Sequence, residues 1–296
     1  TQPSPIDRRV IGCGLVMAIV CFNLWLTMTA ADLSSHVRNP FFLVFFNVSF
    51  DAVYLLAIVA QKLWPSISSL QSNVPLPTLF KTASLLMVVY QLGNLLWFYG
   101  LQLAPLPTAV TLIIYQSSAL WVFLFSLLFR LAVVSPLRSG LAVAVCLAGV
   151  GLIATDELTM NLSENTNRAA NASGPRNADG LIMPTIGSLS GSALLWALYE
   201  VLFKWLLPEA NTAAVVTFVG FRGLSNLLVL SIPFACWGEV PVLDQNSFNS
   251  LMAFAVASAV ITFLICLGIA VTSPVLVRIG TTFAVPVAVA ISVIDG

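Results

Sequence analysis

Apolar stretches of about twenty residues follow one another along most of this chain, and several of its few ionisable groups lie inside them. A stretch of that length is what an α-helix needs to cross the hydrocarbon core of a bilayer. With 59% hydrophobic and 8% charged residues, the chain has too little charge to cover a water-soluble surface. It therefore reads as an all-α integral membrane protein whose first partner is the lipid bilayer. A charge held in hydrocarbon costs about 2.5–3.5 kcal/mol on insertion scales, so the ionisable groups within the stretches should line a cavity or a pathway.

Hydropathy places about nine spanning segments, near 10–30, 40–60, 79–101, 107–129, 136–155, 181–207, 212–234, 248–271 and 274–294. Pro40, Pro107, Pro136 and Pro274 stand at helix starts, where a missing N–H is not needed. Pro286 falls inside the ninth segment and should kink it. The 156–180 stretch is polar and separates residues 1–155 from residues 181–296. Nothing near Thr1 reads as a cleavable signal, and with Gly296 so close to the ninth segment the chain reads as a fragment.

Loop charges set an expected orientation. With a cytoplasmic N-terminus, Arg8, Arg9, Lys62, Lys81, Arg130 and Arg138 fall at cytoplasmic ends, and only Arg38, Arg168 and Arg176 fall opposite. The same orientation puts the 156–180 stretch outside or in a lumen. There its sequons at Asn161 and Asn171 would be glycosylation candidates. The third match, at Asn47, lies within a segment and is discounted. Balanced totals of twelve basic and twelve acidic residues leave no basic field for nucleic acid. The five cysteines form no CxxC pair and read as small packed hydrophobes, so no metal or cofactor is expected.

A faint internal repeat relates the third and fourth segments to the eighth and ninth. WFYGLQLAPLPTAVTLIIYQSSALWVFLFS at 97–126 aligns with ICLGIAVTSPVLVRIGTTFAVPVAVAISVI at 265–294, and Gly100 falls on Gly268. The offset is an odd number of helices, so the two halves have opposite orientation. Inverted repeats are a common plan for secondary transporters, with the site near the midplane between halves.

Asp51 sits near the middle of the second segment, with Asn47 and Tyr54 on its face. Arg222 sits near the middle of the seventh, its repeat counterpart, between Phe218 and Asn226. The two charges form either a midplane site, paired when empty, or a structural tie. The sixth segment carries Ser188, Ser192, Trp196, Glu200 and Lys204 at i+4 spacing on one face, which is expected to meet an aqueous cavity. Glu200 would either pair with Lys204 one turn on or hold a cation or proton. Lys204 and Arg278 lie near the cytoplasmic boundary, where snorkelling competes with a site role. Asn94, Trp97 and Tyr90 on the third segment, and Thr108, Thr111, Tyr115 and Ser118 on the fourth, add a hydroxyl and aromatic lining. Trp and Tyr rings can stack a flat ligand or hold a cation, although aromatic residues are common in membrane helices anyway. The GxxxG pair Gly187 and Gly191, and the ladder Gly140, Ala144 and Ala148, are close-packing faces within one chain or across a homodimer.

Enzyme readings fail for lack of parts. The single His36 lies in a short loop, and there is no HExxH, no GxSxG and no acidic cluster for magnesium. A receptor or purely structural protein would need neither midplane charges nor inverted halves.

The segment GSALLWALYEVLFKWLLPEAN at 191–211 resembles the opening of the second half in the drug/metabolite transporter superfamily, specifically solute carrier family 35, subfamily F, the branch with the thiamine transporters. TSPVLVRIGTTFAVPVAVA at 272–290 and GNLLWFYGLQLAPLPTAVTLIIYQSSALWVFLFS at 93–126 are similar to that subfamily's ninth helix and to its third and fourth. The resemblance implies an EamA-like fold of two inverted five-helix repeats, a cytoplasmic N-terminus, and alternating access around a central cavity. The first repeat would be 1–155; the second, 181–296, would lack its last helix. Two positions depart from the pattern: Glu200 stands where relatives often carry Lys, and Arg278 where they often carry a small polar residue.

The combined expectation is a multi-pass transporter of a small organic molecule in an endomembrane (Golgi, ER or vesicle) or the plasma membrane. The substrate set is Asp51, Asn94, Trp97, Tyr115, Trp196, Tyr199, Glu200, Arg222 and Arg278. Glu200 and Asp51 would suit a cationic ring such as thiamine. Arg222 with Arg278 would suit an anion such as a nucleotide-sugar. An acidic group could instead carry a coupling proton.

Overall fold

The computed structural model describes residues 39–56, 72–103, 108–131, 137–149, 179–237 and 243–282, with scattered positions between 14 and 37 and the single positions 59 and 241. The described residues are almost entirely helical and include no strand. Asn161, Asn171, Pro286 and Asp295 lie outside them.

Helix α1, Pro40–Ser49, begins on Asn39, whose side chain accepts from the Phe42 N–H at 3.1 Å, with Pro40 in the first turn. It tightens into a 3₁₀ turn at Phe50–Val53, which carries Asp51. Helices α2 (Leu76–Leu103), α3 (Thr108–Gln116), α4 (Ser118–Leu128) and α5 (Leu137–Gly149) follow. The second group comprises α6 (Asp179–Leu206), α7 (Thr212–Trp237), α8 (Gln245–Val271) and α9 (Pro274–Thr282). Within these, Leu76–Leu103, Ile182–Leu206, Thr212–Ser231 and Gln245–Val271 are each long and apolar enough to cross a membrane.

The continuous helix expected over 107–129 is broken at Ser117. The Ser117 N–H is shared between the carbonyls of Ile113 and Ile114, and its hydroxyl donates to Ile114 O at 2.6 Å. A polar side chain has bonded to the backbone and reset the ladder, with no Pro or Gly to announce it.

Among the described residues, many apolar side chains face outward, and the largely apolar interior also holds polar and charged groups. Leu85, Val88 and Leu92 project outward from α2, while Gln91 and Asn94 on the same helix are buried. This inversion is what a bilayer solvent dictates. Helices α2 and α6 form the most extensive contact between elements. It is made close by Gly93 and Gly100, where an added Cβ would stand 3.0 Å from Trp196 Cδ1 and 2.9 Å from Leu189. The GxxxG expectation is corrected here. Gly191 approaches Leu96 of α2, but Gly187 has open space where its Cβ would be. Gly140 meets Phe123, while Ala144 and Ala148 are exposed.

The α1 segment and α7, the expected repeat counterparts, pack directly on each other. Gly220 and Gly223 make this possible: a Cβ on Gly223 would overlap the backbone of Asp51 and Ala52, and one on Gly220 would stand 2.8 Å from Leu55. The 3₁₀ turn sits where α1 crosses these two glycines, so the close approach presents Asp51 to α7.

Candidate functional site

Arg222 is 1% exposed and entirely committed. Its Nε donates to Asp51 Oδ2 at 3.1 Å, its Nη2 donates to the same oxygen, and its Nη1 donates to the Tyr199 hydroxyl at 3.0 Å. The Tyr90 ring lies across the guanidinium, 3.9 Å from Cζ to the ring centre. One turn along α7, Asn226 donates to Phe45 O at 3.0 Å and to Ser49 Oγ at 2.8 Å, and accepts from Gln91. Ser84 and Ser225 share a hydrogen bond of 2.8 Å. Together these bonds form a polar seam joining α1 and α2 to α7.

A second pair closes on α6. Arg278 of α9 meets Glu200 side-on, with Nε to Oε2 at 3.0 Å and Nη2 to Oε1 at 2.7 Å. The guanidinium carbon stands 4.9 Å from the centre of the Tyr115 ring. Its Nη1 is buried without a hydrogen-bond acceptor in good geometry. Two expectations are corrected by this contact. Glu200 does not pair with Lys204, and Arg278, 2% exposed, does not snorkel. Lys204 instead donates from Nζ to Ala270 O at 2.9 Å, tying α6 to the last turn of α8, where helix carbonyls lack partners of their own.

A cavity, about 750 Å³ with its mouth included, opens among α1, α2, α3, α6, α8, α9 and the helical residues between 23 and 30. Trp97, Tyr115 and Trp196 form an aromatic triangle on its wall, with ring centres 5.0–5.6 Å apart. Asn94, Tyr199, Glu200 and Arg278 also line it. Asn94 donates to Tyr90 O at 2.9 Å.

Asp51 and Arg222 do not line the cavity; they lie behind a wall formed by Tyr90 and Tyr199, whose rings stand 5.1 Å apart. The expected single site with three anchoring charges is therefore two layers, one facing space and one packed. The polar row on α6 divides similarly. Trp196 and Glu200 face the cavity, while the Ser188 hydroxyl donates to Leu96 O at 2.7 Å. Sequence reasoning missed Ser258 and Thr262 on the wall, although their i+4 spacing on α8 was a legible signal. Thr262 shares a hydrogen bond of 3.2 Å with Tyr90. Cys266 is buried 3.4 Å from the Tyr199 hydroxyl, whereas Cys21 is exposed, against its reading as a packed hydrophobe.

With this geometry in place, comparison with known proteins is informative. The chain is 34% identical over 108 residues to mouse (Mus musculus) solute carrier family 35 member F3, covering 34% of this chain and 25% of that protein. It is 31% identical over 110 residues to the human (Homo sapiens) protein of the same name, with the same coverage. Over that third of its length the chain resembles solute carrier family 35, subfamily F. That subfamily lies in the drug/metabolite transporter superfamily. The chain spans about a quarter of the length of the curated relatives it matches. No protein-family model matches it. An SLC35F-like, multi-pass all-α membrane protein with a cavity enclosed by its helices is the common ground of fold and comparison.

Proposed function

We propose that this SLC35F-like protein is a secondary transporter that moves a small, ring-bearing organic metabolite across a membrane by alternating access. The observation that carries this reading is the cavity itself. Its wall is drawn from both expected halves, 1–155 and 181–296, and sets the Trp97–Tyr115–Trp196 triangle beside a buried ion pair. A flat ring would stack on the triangle, and rocking of two inverted repeats would expose it to each side in turn. The full ten-helix plan, the cytoplasmic N-terminus, glycosylation at Asn161 and Asn171, and residence in an endomembrane or the plasma membrane belong to the same proposal.

A thiamine-like cation is the first substrate reading. Its charged ring would be held by aromatic faces and by Glu200. A second reading, a nucleotide-sugar or another organic anion, is favoured by Arg278 Nη1, a buried donor beside the cavity with no hydrogen bond in good geometry. Uptake of labelled thiamine and of labelled nucleotide-sugars into liposomes carrying the purified protein tests both. Saturable thiamine uptake supports the first and nucleotide-sugar exchange the second. Uptake of neither, by protein shown to be folded, contradicts both substrate readings.

A further inference from the structure

The cavity wall carries one carboxylate and one guanidinium among its described residues, and they neutralise each other. Both Glu200 oxygens are taken by Arg278. A cation arriving at Glu200 would have to share the carboxylate with Arg278 and would leave one buried positive charge without a counter-charge. An anion arriving at Arg278 would leave Glu200 in the same position. Leaving one partner of a buried pair without a counter-charge is far more costly than replacing both partners. The neighbouring pair cannot help, because Arg222 is bonded to Asp51 and Tyr199 and covered by Tyr90. Lys204 donates to Ala270 O and does not line the cavity.

Resting on the transporter reading but setting aside both of its singly charged substrate classes, we infer that the cargo is a net-neutral, ring-bearing molecule with both a cationic and an anionic group, which inserts between Glu200 and Arg278. Its cationic group takes the place of Arg278 on Glu200. Its anionic group takes the place of Glu200 on Arg278 and reaches Nη1. The ring lies against Tyr115 and Trp196, whose centres are 5.0 Å apart and next to the pair. Every charge in the loaded site then has a partner, and loading moves no net charge into the membrane interior.

Three flat rings of similar size separate the charge classes: N-methylnicotinate carries both charges, N-methylnicotinamide is a cation and benzoate is an anion. Labelled uptake of each is measured in liposomes carrying the purified full-length protein at neutral pH. N-methylnicotinate is expected to exceed either singly charged ring by about tenfold in kcat/KM. Glu200→Gln leaves Arg278 as the one charge and should move the preference to benzoate. Arg278→Gln should move it to N-methylnicotinamide. If the single variants do not fold, the double variant Glu200→Gln/Arg278→Gln leaves no unpaired charge. It should lose discrimination among the three, and retained discrimination would overturn the inference.

The inference also fails if a singly charged ring leads in the native protein, or if the order of the three ignores the substitutions. Protein-dependent benzoate uptake, after subtraction of the flux into protein-free liposomes, that leads and rises with falling pH in the native protein but not in Glu200→Gln would assign a proton to Glu200 instead. In these cases the protein still transports, so the transporter reading stands. Uptake of none of the three rings while thiamine or a nucleotide-sugar is taken up overturns the inference alone; uptake of none of these compounds by folded protein overturns the transporter reading with it.

Discussion

Arg222 and Asp51 meet through a single carboxylate oxygen, with Nε and Nη2 of the guanidinium both donating to Asp51 Oδ2. Removing one partner of such a buried pair strands the other. Asp51→Asn or Arg222→Met should each destabilise the fold by about 3–5 kcal/mol, while Asp51→Asn/Arg222→Met together should recover much of the loss. Thermal unfolding in detergent reads the difference. Additive losses would mean that the pair is not coupled.

Gly223 and Gly187 should respond oppositely to the same change. Glycine within a helix is worse than alanine by about 1 kcal/mol, so alanine is ordinarily stabilising. Gly187→Ala meets open space and should stabilise by about that amount. Gly223→Ala drives a methyl into the Asp51–Ala52 backbone, separates α1 from α7, and should lower the melting temperature.

Tyr90 covers Arg222 on the cavity side. Tyr90→Phe keeps the ring over the guanidinium and loses only the bond to Thr262, so it should cost about 1 kcal/mol. Tyr90→Ala removes the ring as well and should cost about 2 kcal/mol more through the lost cation–π contact. It should also open Arg222 to the cavity, so that anionic rings bind the variant better than they bind the native protein.

Asp244 caps α8 from outside the membrane-spanning residues. Its carboxylate accepts from Ser247 N at 3.2 Å, and hydrogen bonding from the Ser247 side chain, then from this backbone N–H, holds its pKa below the ordinary aspartate value. A folded-state pKa below the unfolded one gives stability that is present above the unfolded pKa and lost as pH falls through the folded value. Amide exchange at 246–248 should therefore quicken in Asp244→Ala, relative to the native cap. Exchange that is unchanged by the substitution would remove the cap's role.

Much of this site was legible because burial of charge in a membrane chain is itself a signal. The burial of Asp51 and Arg222 was expected from segment positions alone, as was a shared α6 face for Trp196 and Glu200. What could not be read was which polar layer faces open space. Hydropathy marks a face as polar, but the wall between the layers is made by Tyr90 and Tyr199, which come from α2 and α6. The partner of Glu200 was equally hidden. Lys204, one turn away, is the local choice, yet packing brings in Arg278 from 78 residues further along and sends Lys204 to an orphan carbonyl of α8. The break at Ser117 was missed because its cause is a side-chain bond to backbone rather than a helix-breaking residue.

The division of the charges into a cavity-facing pair and a walled pair is tested most directly by ring-probe uptake kinetics in Glu200→Gln and Asp51→Asn, each normalised to folded protein. Glu200→Gln should change KM and the order of preference among charged rings, whereas Asp51→Asn should reduce the amount of folded protein and leave KM and preference as they are. A changed preference in Asp51→Asn, with Glu200→Gln behaving as the native protein, would place the binding charge on the other side of the wall.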